Sequence, residues 1–222
     1  MAHRDRSAAT RELILSTAER LYAEHGIRAV SNRQISEAAG QGNSTAVGYH
    51  FGTKADLVRA ITRKHTDQME QARMDLVIEA TGSTDIHDWV ACHVRPLTEH
   101  LAALGRPTWY ARFYAQTTTD PALQEIVVEE ALTSASLRLL LVGLGQCLPG
   151  LPPSVSAERW VMARHLIAHM CVEQERALAD GGPADQPSWP DLAERLTGAV
   201  AALWLAPVTD RRPAVPRRSR VG

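Results

Sequence analysis

Cysteine is nearly absent from this chain: Cys92, Cys147 and Cys171 are the only three in 222 residues, an odd number with no close spacing. That argues against a disulfide framework or a CxxC metal site and leaves the thiols as small buried apolar groups. Aromatic residues are also sparse, at 5%. No apolar run nears the roughly 18 residues that cross a bilayer, and the longest, Leu139 to Gly145, is far shorter. No membrane partner is therefore expected. The opening MAHRDRSAATRELI holds no unbroken apolar segment before a small-residue cleavage site, so a cytoplasmic location is expected. No alternating run rich in Val, Ile and Thr reads as a strand, which makes the predicted fold class all-α. A serine nucleophile elbow, a phosphate loop and a dinucleotide fingerprint are missing too, and the glycines of GLGQCLPG follow a helix rather than a strand. The chain is expected not to be an enzyme and to need no cofactor and no metal.

Charge of one sign is absent from the total but not from its distribution. The net charge is −1, yet residues 1–64 carry 10 Lys+Arg against 6 Asp+Glu, residues 65–205 carry 9 against 18, and residues 206–222 carry 5 against 1. The segments thus stand at +4, −9 and +4. The N-terminal quarter suits a polyanion, and the acidic middle would repel one. The last stretch, PVTDRRPAVPRRSRVG, mixes proline and arginine with little apolar content and is expected to be disordered.

What is present is helical periodicity. Leu13, Ile14, Ala18, Leu21 and Tyr22 share one face of a helix over 10–25, which Gly26 ends. Ser31 and Gln34 form a capping box for a two-turn helix stopping at Gly40. After GQGN, Asn43 or Ser44 caps a second short helix ending at YHF, and Thr53 with Asp56 opens a long fourth one. Further helices are predicted over 86–104, 108–117, 121–147, 156–179 and 189–205, separated by Asp120-Pro121, LPGLPPS and DGGPADQPSWP. The expected organisation is a small helical head at 1–52, a larger helical domain at 53–205 and a basic tail at 206–222.

Two short helices joined by a glycine-containing turn, with a packing helix before and a long helix after, make a helix-turn-helix in a three-helix head. Ser31, Ser44 and Thr53 mark helix N-termini that can point amides at phosphates. Arg33, a cation in a first turn where the helix dipole disfavours it, points to an external anion. Val47 and Phe51, four apart, are expected in the core against Ile35 and Leu57.

ERLYAEHGIRAVSNRQISEAAG followed by VGYHFGTKADLVRAI resembles the TetR family of transcriptional regulators, over roughly residues 10–64. The resemblance implies phosphate contacts from Ser31, Arg33, Tyr49, His50 and Lys54, and base-edge contacts from Asn43, Ser44 and Thr45, with Gly48 at the edge of that set. Two departures stand out. The loop between the two short helices is one residue longer than the commonest version, and Gly48 replaces a frequent tyrosine. The resemblance further implies a ligand-released repressor, homodimeric, on pseudo-palindromic double-stranded operator DNA, with a small-molecule effector: residues 1–52 would bind DNA and residues 53–205 would bind ligand and dimerise.

Stripes Trp160, Ala163, Ile167, Met170, Cys171 and Leu192, Leu196, Ala199, Val200, Leu203 are the expected dimer surface. PTWYARFYAQ concentrates Trp109, Tyr110, Phe113 and Tyr114, material for a cavity wall or for plain core. His93, Arg95, His165 and His169 are the polar candidates to orient a ligand. His165, His169 and Glu173 share one helical face, which supports a rival reading as a metal-dependent sensor or enzyme. A nonspecific DNA binder without ligand is the other rival, and the acidic middle speaks against it.

Overall fold

The computed structural model describes residues 2–43, 45–181 and 187–208. Among the described residues there are ten helices and no strand: α1 Ala2–His25, α2 Asn32–Ala38, α3 Ala46–Phe51, α4 Lys54–Ala80, α5 Ile86–Ala103, α6 Tyr110–Thr119, α7 Pro121–Thr133, α8 Ala135–Cys147, α9 Pro153–Ala179 and α10 Trp189–Leu205. No helix is long and apolar enough to cross a membrane, among those residues. Helix α1 begins earlier than its apolar periodicity suggests, and it stops where Gly26 takes a positive φ of 94° and returns its amide to the Tyr22 carbonyl.

Helices α2 and α3 are each too short to persist alone. Burial of Ile35 on α2 and of Ala46 and Val47 on α3 holds them, with a fully buried Val or Ile contributing roughly 1.5–3 kcal/mol. The buried Ser36 hydroxyl of α2 accepts the Val47 amide at 3.3 Å, tying the two helices across their turn. The expected capping box at Ser31 is present, with the Gln34 side chain accepting the Ser31 amide at 2.8 Å. The same device, Thr53 with Asp56, opens α4. Val47 sits in the core as expected, and Phe51 lies half-buried against it beneath the Arg11 guanidinium.

The body is a helical bundle in which α5 packs on α4, α8 and α10, while α6 packs on α1, α7 and α9. One continuous buried cluster runs from Ile14 and Tyr22 of the head to Trp204 of α10. The helix expected over 121–147 is in fact two. Ser134 adopts an extended conformation and its Oγ accepts the Leu137 amide at 3.0 Å, so it caps α8. Glu70 of α4 fixes the break, accepting from Ser134 Oγ at 2.6 Å, Ser136 N at 2.9 Å and Ser136 Oγ at 2.8 Å. A hydrophobic pattern that continues through a serine does not register such a partner from another helix. Gly143, in the GLGQCLPG stretch, has a packing reason: a Cβ there would stand 2.2 Å from the Trp89 ring of α5.

The two stripes expected to form the dimer surface face mainly into the chain itself. Ile167, Leu192, Leu196 and Val200 are all buried within the single chain, because α10 packs on α5 and α9. Trp160 and Leu203 are half-buried against the same core, and of the residues predicted for the interface Met170 and Ala199 are exposed. The basic tail from residue 209 onward lies outside the described residues.

Candidate nucleic-acid interface and internal cavity

One side of α3 is committed to the core through Ala46 and Val47, which leaves Thr45, Gly48 and Tyr49 facing outward. Tyr49 is 83% exposed, a high value for so large an apolar ring. No atom lies within 4 Å of a Cβ built on Gly48, so no neighbour inside the chain requires glycine there. Helix α3 starts later than the sequence suggests. Its N-cap position is Thr45, whose amide and hydroxyl both donate to Asn43 Oδ1, at 2.9 and 2.7 Å. Asn43 thus shapes the turn before the helix, and Ser44 lies outside the described residues.

The cations of the head are largely engaged. Arg33 pairs with Glu37 one turn on, at 2.7 Å, rather than standing unpaired for an external anion. Such an exposed pair is weak and screened by solvent, so a phosphate could displace it. Lys54, which opens α4, donates to the Ile27 carbonyl at 2.9 Å and the Arg28 carbonyl at 3.4 Å, and burial lowers its pKa. It closes the loop after α1 in the free protein. The His50 carbonyl accepts from the Arg11 guanidinium. Ser31 and Thr53 remain exposed at their caps.

A cavity of about 90 Å³ lies inside the body, walled by residues of α4 to α9, among them Thr62, Arg73, His93, Tyr110, Tyr114 and Arg164. Of the predicted ligand residues, the structure brings His93, Tyr110 and Tyr114 together here. It does not bring the others. Phe113 packs on Tyr22 in the core with ring centroids 6.2 Å apart, and Trp109 sits half-buried at the N-cap of α6. Arg95 pairs with Glu99 at 2.9 Å and lines a separate surface groove between α5 and α10. His165 and His169 lie on the outer side of α9, with Glu173 paired to Arg176 at 3.2 Å. Among the described residues no three His, Cys, Asp or Glu side chains are placed to hold a metal.

Sequence reasoning missed Arg73 and Arg164, both buried on the cavity wall. A signal was available: Arg73 stands at helical spacing between Met69 and Val77, inside an apolar stripe. Their charges and the loss of water push the His93 pKa down from 6.5 to about 3, burial first and then Arg73 and Arg164. A histidine depressed on folding binds protons only when unfolded, so its contribution is complete above about pH 6.5 and is lost as pH falls toward 3. Between pH 7 and 5 His93 alone should remove on the order of 2 kcal/mol of stability. Denaturant midpoints measured at both pH values should therefore diverge less for His93→Gln than for the parent; equal divergence would show that His93 is not the titrating group.

Cavity and head are connected. The Tyr110 ring stacks on buried His65 of α4 at 3.7 Å between centroids. His65 bonds through Nε2 to Glu19 of α1 at 2.8 Å and through Nδ1 to His100 of α5 at 2.7 Å. Beyond Tyr114, α6 carries Gln116, whose side-chain oxygen accepts the Ile27 amide at 2.9 Å while its nitrogen donates to the Tyr22 carbonyl at 2.7 Å. Asp120 follows, paired with Arg28 at 2.6 Å. On α7, Glu130 receives Arg63 of α4 through two bonds of 2.9 Å.

Head and body together define an all-helical protein with an N-terminal helix-turn-helix and a larger helical C-terminal domain. The chain belongs to the TetR family: residues 14–61 match the bacterial regulatory proteins of the tetR family, and residues 91–202 match the tetracyclin repressor-like C-terminal domain. The HTH-type transcriptional repressor AcnR of Corynebacterium glutamicum is 33% identical over 82 residues, 37% of this chain and 40% of that protein. AcnR of Corynebacterium efficiens is 32% identical over 82 residues, again 37% and 40%. The chain thus matches less than half the length of these curated relatives. The solved TetR family transcriptional regulator PfmR from Thermus thermophilus shares the fold, with a TM-score of 0.50, 16% identity, and coverage of 88% of this chain and 96% of that one.

Proposed function

We propose that the protein is a homodimeric, sequence-specific DNA-binding regulator, a repressor released from operator DNA by a small-molecule effector, and not an enzyme. The observation that carries this reading is the outward face of α3: Thr45, Gly48 and Tyr49 stand clear of the core on a helix whose other side is locked into the head. That is the arrangement in which a recognition helix enters the major groove. Capped N-termini at Ser31 and Thr53 flank it and can direct amides at phosphates. In this reading residues 1–52 bind DNA, with Arg33, Tyr49, His50, Thr53 and Lys54 toward the backbone and Asn43, Ser44, Thr45 and Gly48 toward base edges. Residues 53–205 bind effector and dimerise.

A single six-residue recognition helix reads too few base pairs for genomic selectivity, and symmetric pairing doubles the site. With the inward stripes of α9 and α10 already buried, the dimer surface is their outward side: Met162 and Met170 of α9, and Gly198, Ala199 and Ala202 of α10. Small residues there let two backbones approach closely. The cavity is the effector site. An effector that binds better when the two α3 helices are misplaced for successive grooves, about 34–36 Å apart, weakens DNA binding by the same factor. Helices α6 and α7 carry that coupling, since each places residues on the cavity wall and on the head or α4.

Selection of random duplex DNA on the purified protein should enrich an inverted repeat. Thr45→Ala should change which bases are enriched, and Tyr49→Ala should weaken binding to all sequences alike. Failure of the folded protein to enrich any sequence would end the reading.

A further inference from the structure

Six side-chain polar atoms among the described residues are buried without a hydrogen-bond partner, and four of them, Thr62 Oγ1, Arg73 Nε, His93 Nδ1 and Arg164 Nε, belong to residues on the wall of the internal cavity. Elsewhere in proteins such atoms are rare, because each costs about 1–3 kcal/mol. Their concentration around one small space indicates a missing group rather than scattered misfits.

The charges identify that group. Arg73 is 7% exposed and Arg164 is 8% exposed. Arg73 has one carboxylate nearby, Glu70 at 3.6 Å, but Glu70 is already shared among Ser134 and Ser136. Arg164 has no carboxylate within 4 Å among the described residues. The Gln124 amide, turned with its oxygen inward, accepts from its two terminal nitrogens at 2.9 and 3.3 Å. His93 is held neutral and offers no compensation. The cavity wall therefore carries a positive charge on a largely buried Arg164 with no carboxylate beside it, inside a segment that is acidic overall. Water could satisfy the loose donors but cannot neutralise the charge, and an uncompensated buried cation is strongly unfavourable. Met69, Leu97, Val127, Leu137 and Ile167 give the wall an apolar part, and Thr66, Ser134 and the two tyrosines also line it. The volume, about 90 Å³, is below the roughly 150 Å³ of a cavity that admits benzene.

We infer that this cavity binds a compact organic monoanion, a carboxylate of about two or three carbons, its oxygens received by Arg73 and Arg164 with Thr62 and His93, and its short hydrocarbon body lying against Met69, Leu97 and Ile167. Identifying this ligand as the effector rests on the regulatory reading above; the anion site itself does not.

The full chain is heated at pH 7 and fixed sodium concentration with the sodium salts of the aliphatic carboxylates from acetate to hexanoate, and in parallel with the corresponding neutral amides. One or more carboxylates should raise the melting temperature saturably, with a dissociation constant at least tenfold below that of the matched amide. Arg164→Met should weaken the same carboxylate at least tenfold while raising the melting temperature of the ligand-free protein, since it removes the uncompensated charge. Stabilisation by no carboxylate, equal stabilisation by the amide, or undiminished binding to Arg164→Met overturns the inference. The winning carboxylate is then added to the operator complex. Binding without release would leave the anion site standing and remove its role as effector site.

Discussion

Glu175→Ala is expected to cost about 3 kcal/mol, the low end of what removing one partner from a buried ion pair costs. The Glu175 carboxylate of α9 is almost fully buried, and it accepts from the Ala111 amide at 3.1 Å, the Arg112 amide at 3.2 Å and Arg112 Nε at 2.8 Å. It serves at once as an anion on the first turn of α6, as a hydrogen-bond acceptor and as a counter-charge. Alanine would strand the buried Ala111 amide. Arg112 keeps some access to water and its bond to the Thr108 carbonyl, which is why the upper end of the range is not expected. Urea unfolding followed by helicity reads the loss, and Glu175→Gln should recover part of it by preserving the acceptor. A loss under about 1 kcal/mol for the alanine variant would mean that α6 is held by its other contacts.

The second large effect should appear in function. Gln116→Ala removes the two bonds by which α6 holds the end of α1, leaving the Ile27 amide without its acceptor and the Tyr22 carbonyl without one of its donors. The stability cost is about 1–2 kcal/mol. The larger change is in coupling. Where effector shifts DNA affinity by the typical 5- to 150-fold, the variant should respond by less than about threefold, while effector affinity at the cavity stays near that of the parent. Paired titrations, effector into protein and DNA into protein with and without effector, separate the two. An undiminished response would place the coupling in the Tyr110–His65–Glu19 contact or in Arg63–Glu130 instead.

The head was legible because its information is local. A serine three residues before a glutamine, or a threonine three before an aspartate, satisfies backbone amides within one turn, and both boxes appear at Ser31 and Thr53. Glycines 26 and 52 end helices at positive φ as their positions suggested. The body was less legible wherever a partner from another helix decides. Ser134 breaks a helix because Glu70 reaches it from α4. Ile167, Leu196 and Val200 formed a persuasive dimer stripe because periodicity tells which face is apolar, not which neighbour covers it. In the cavity the aromatic residues Tyr110 and Tyr114 could be picked from composition, whereas Arg73 and Arg164 could not, since an arginine is solvated by default. Only its place within an apolar stripe marks the exception.

The double duty of α6 limits how this protein can be retuned. Tyr110 and Tyr114 touch the cavity, yet the same ten residues also present Gln116 to the head and carry the turn at Asp120. A variant selected there for a new effector would alter the response along with the preference, and many such variants would come out permanently on or permanently off. Leu97 of α5 and Leu137 of α8 border the same space, and neither lies on α6, whose Gln116 holds the head. A designer of biosensors, or natural drift among descendants of this chain, would find new ligand preferences most readily at those two positions, with the switch left intact.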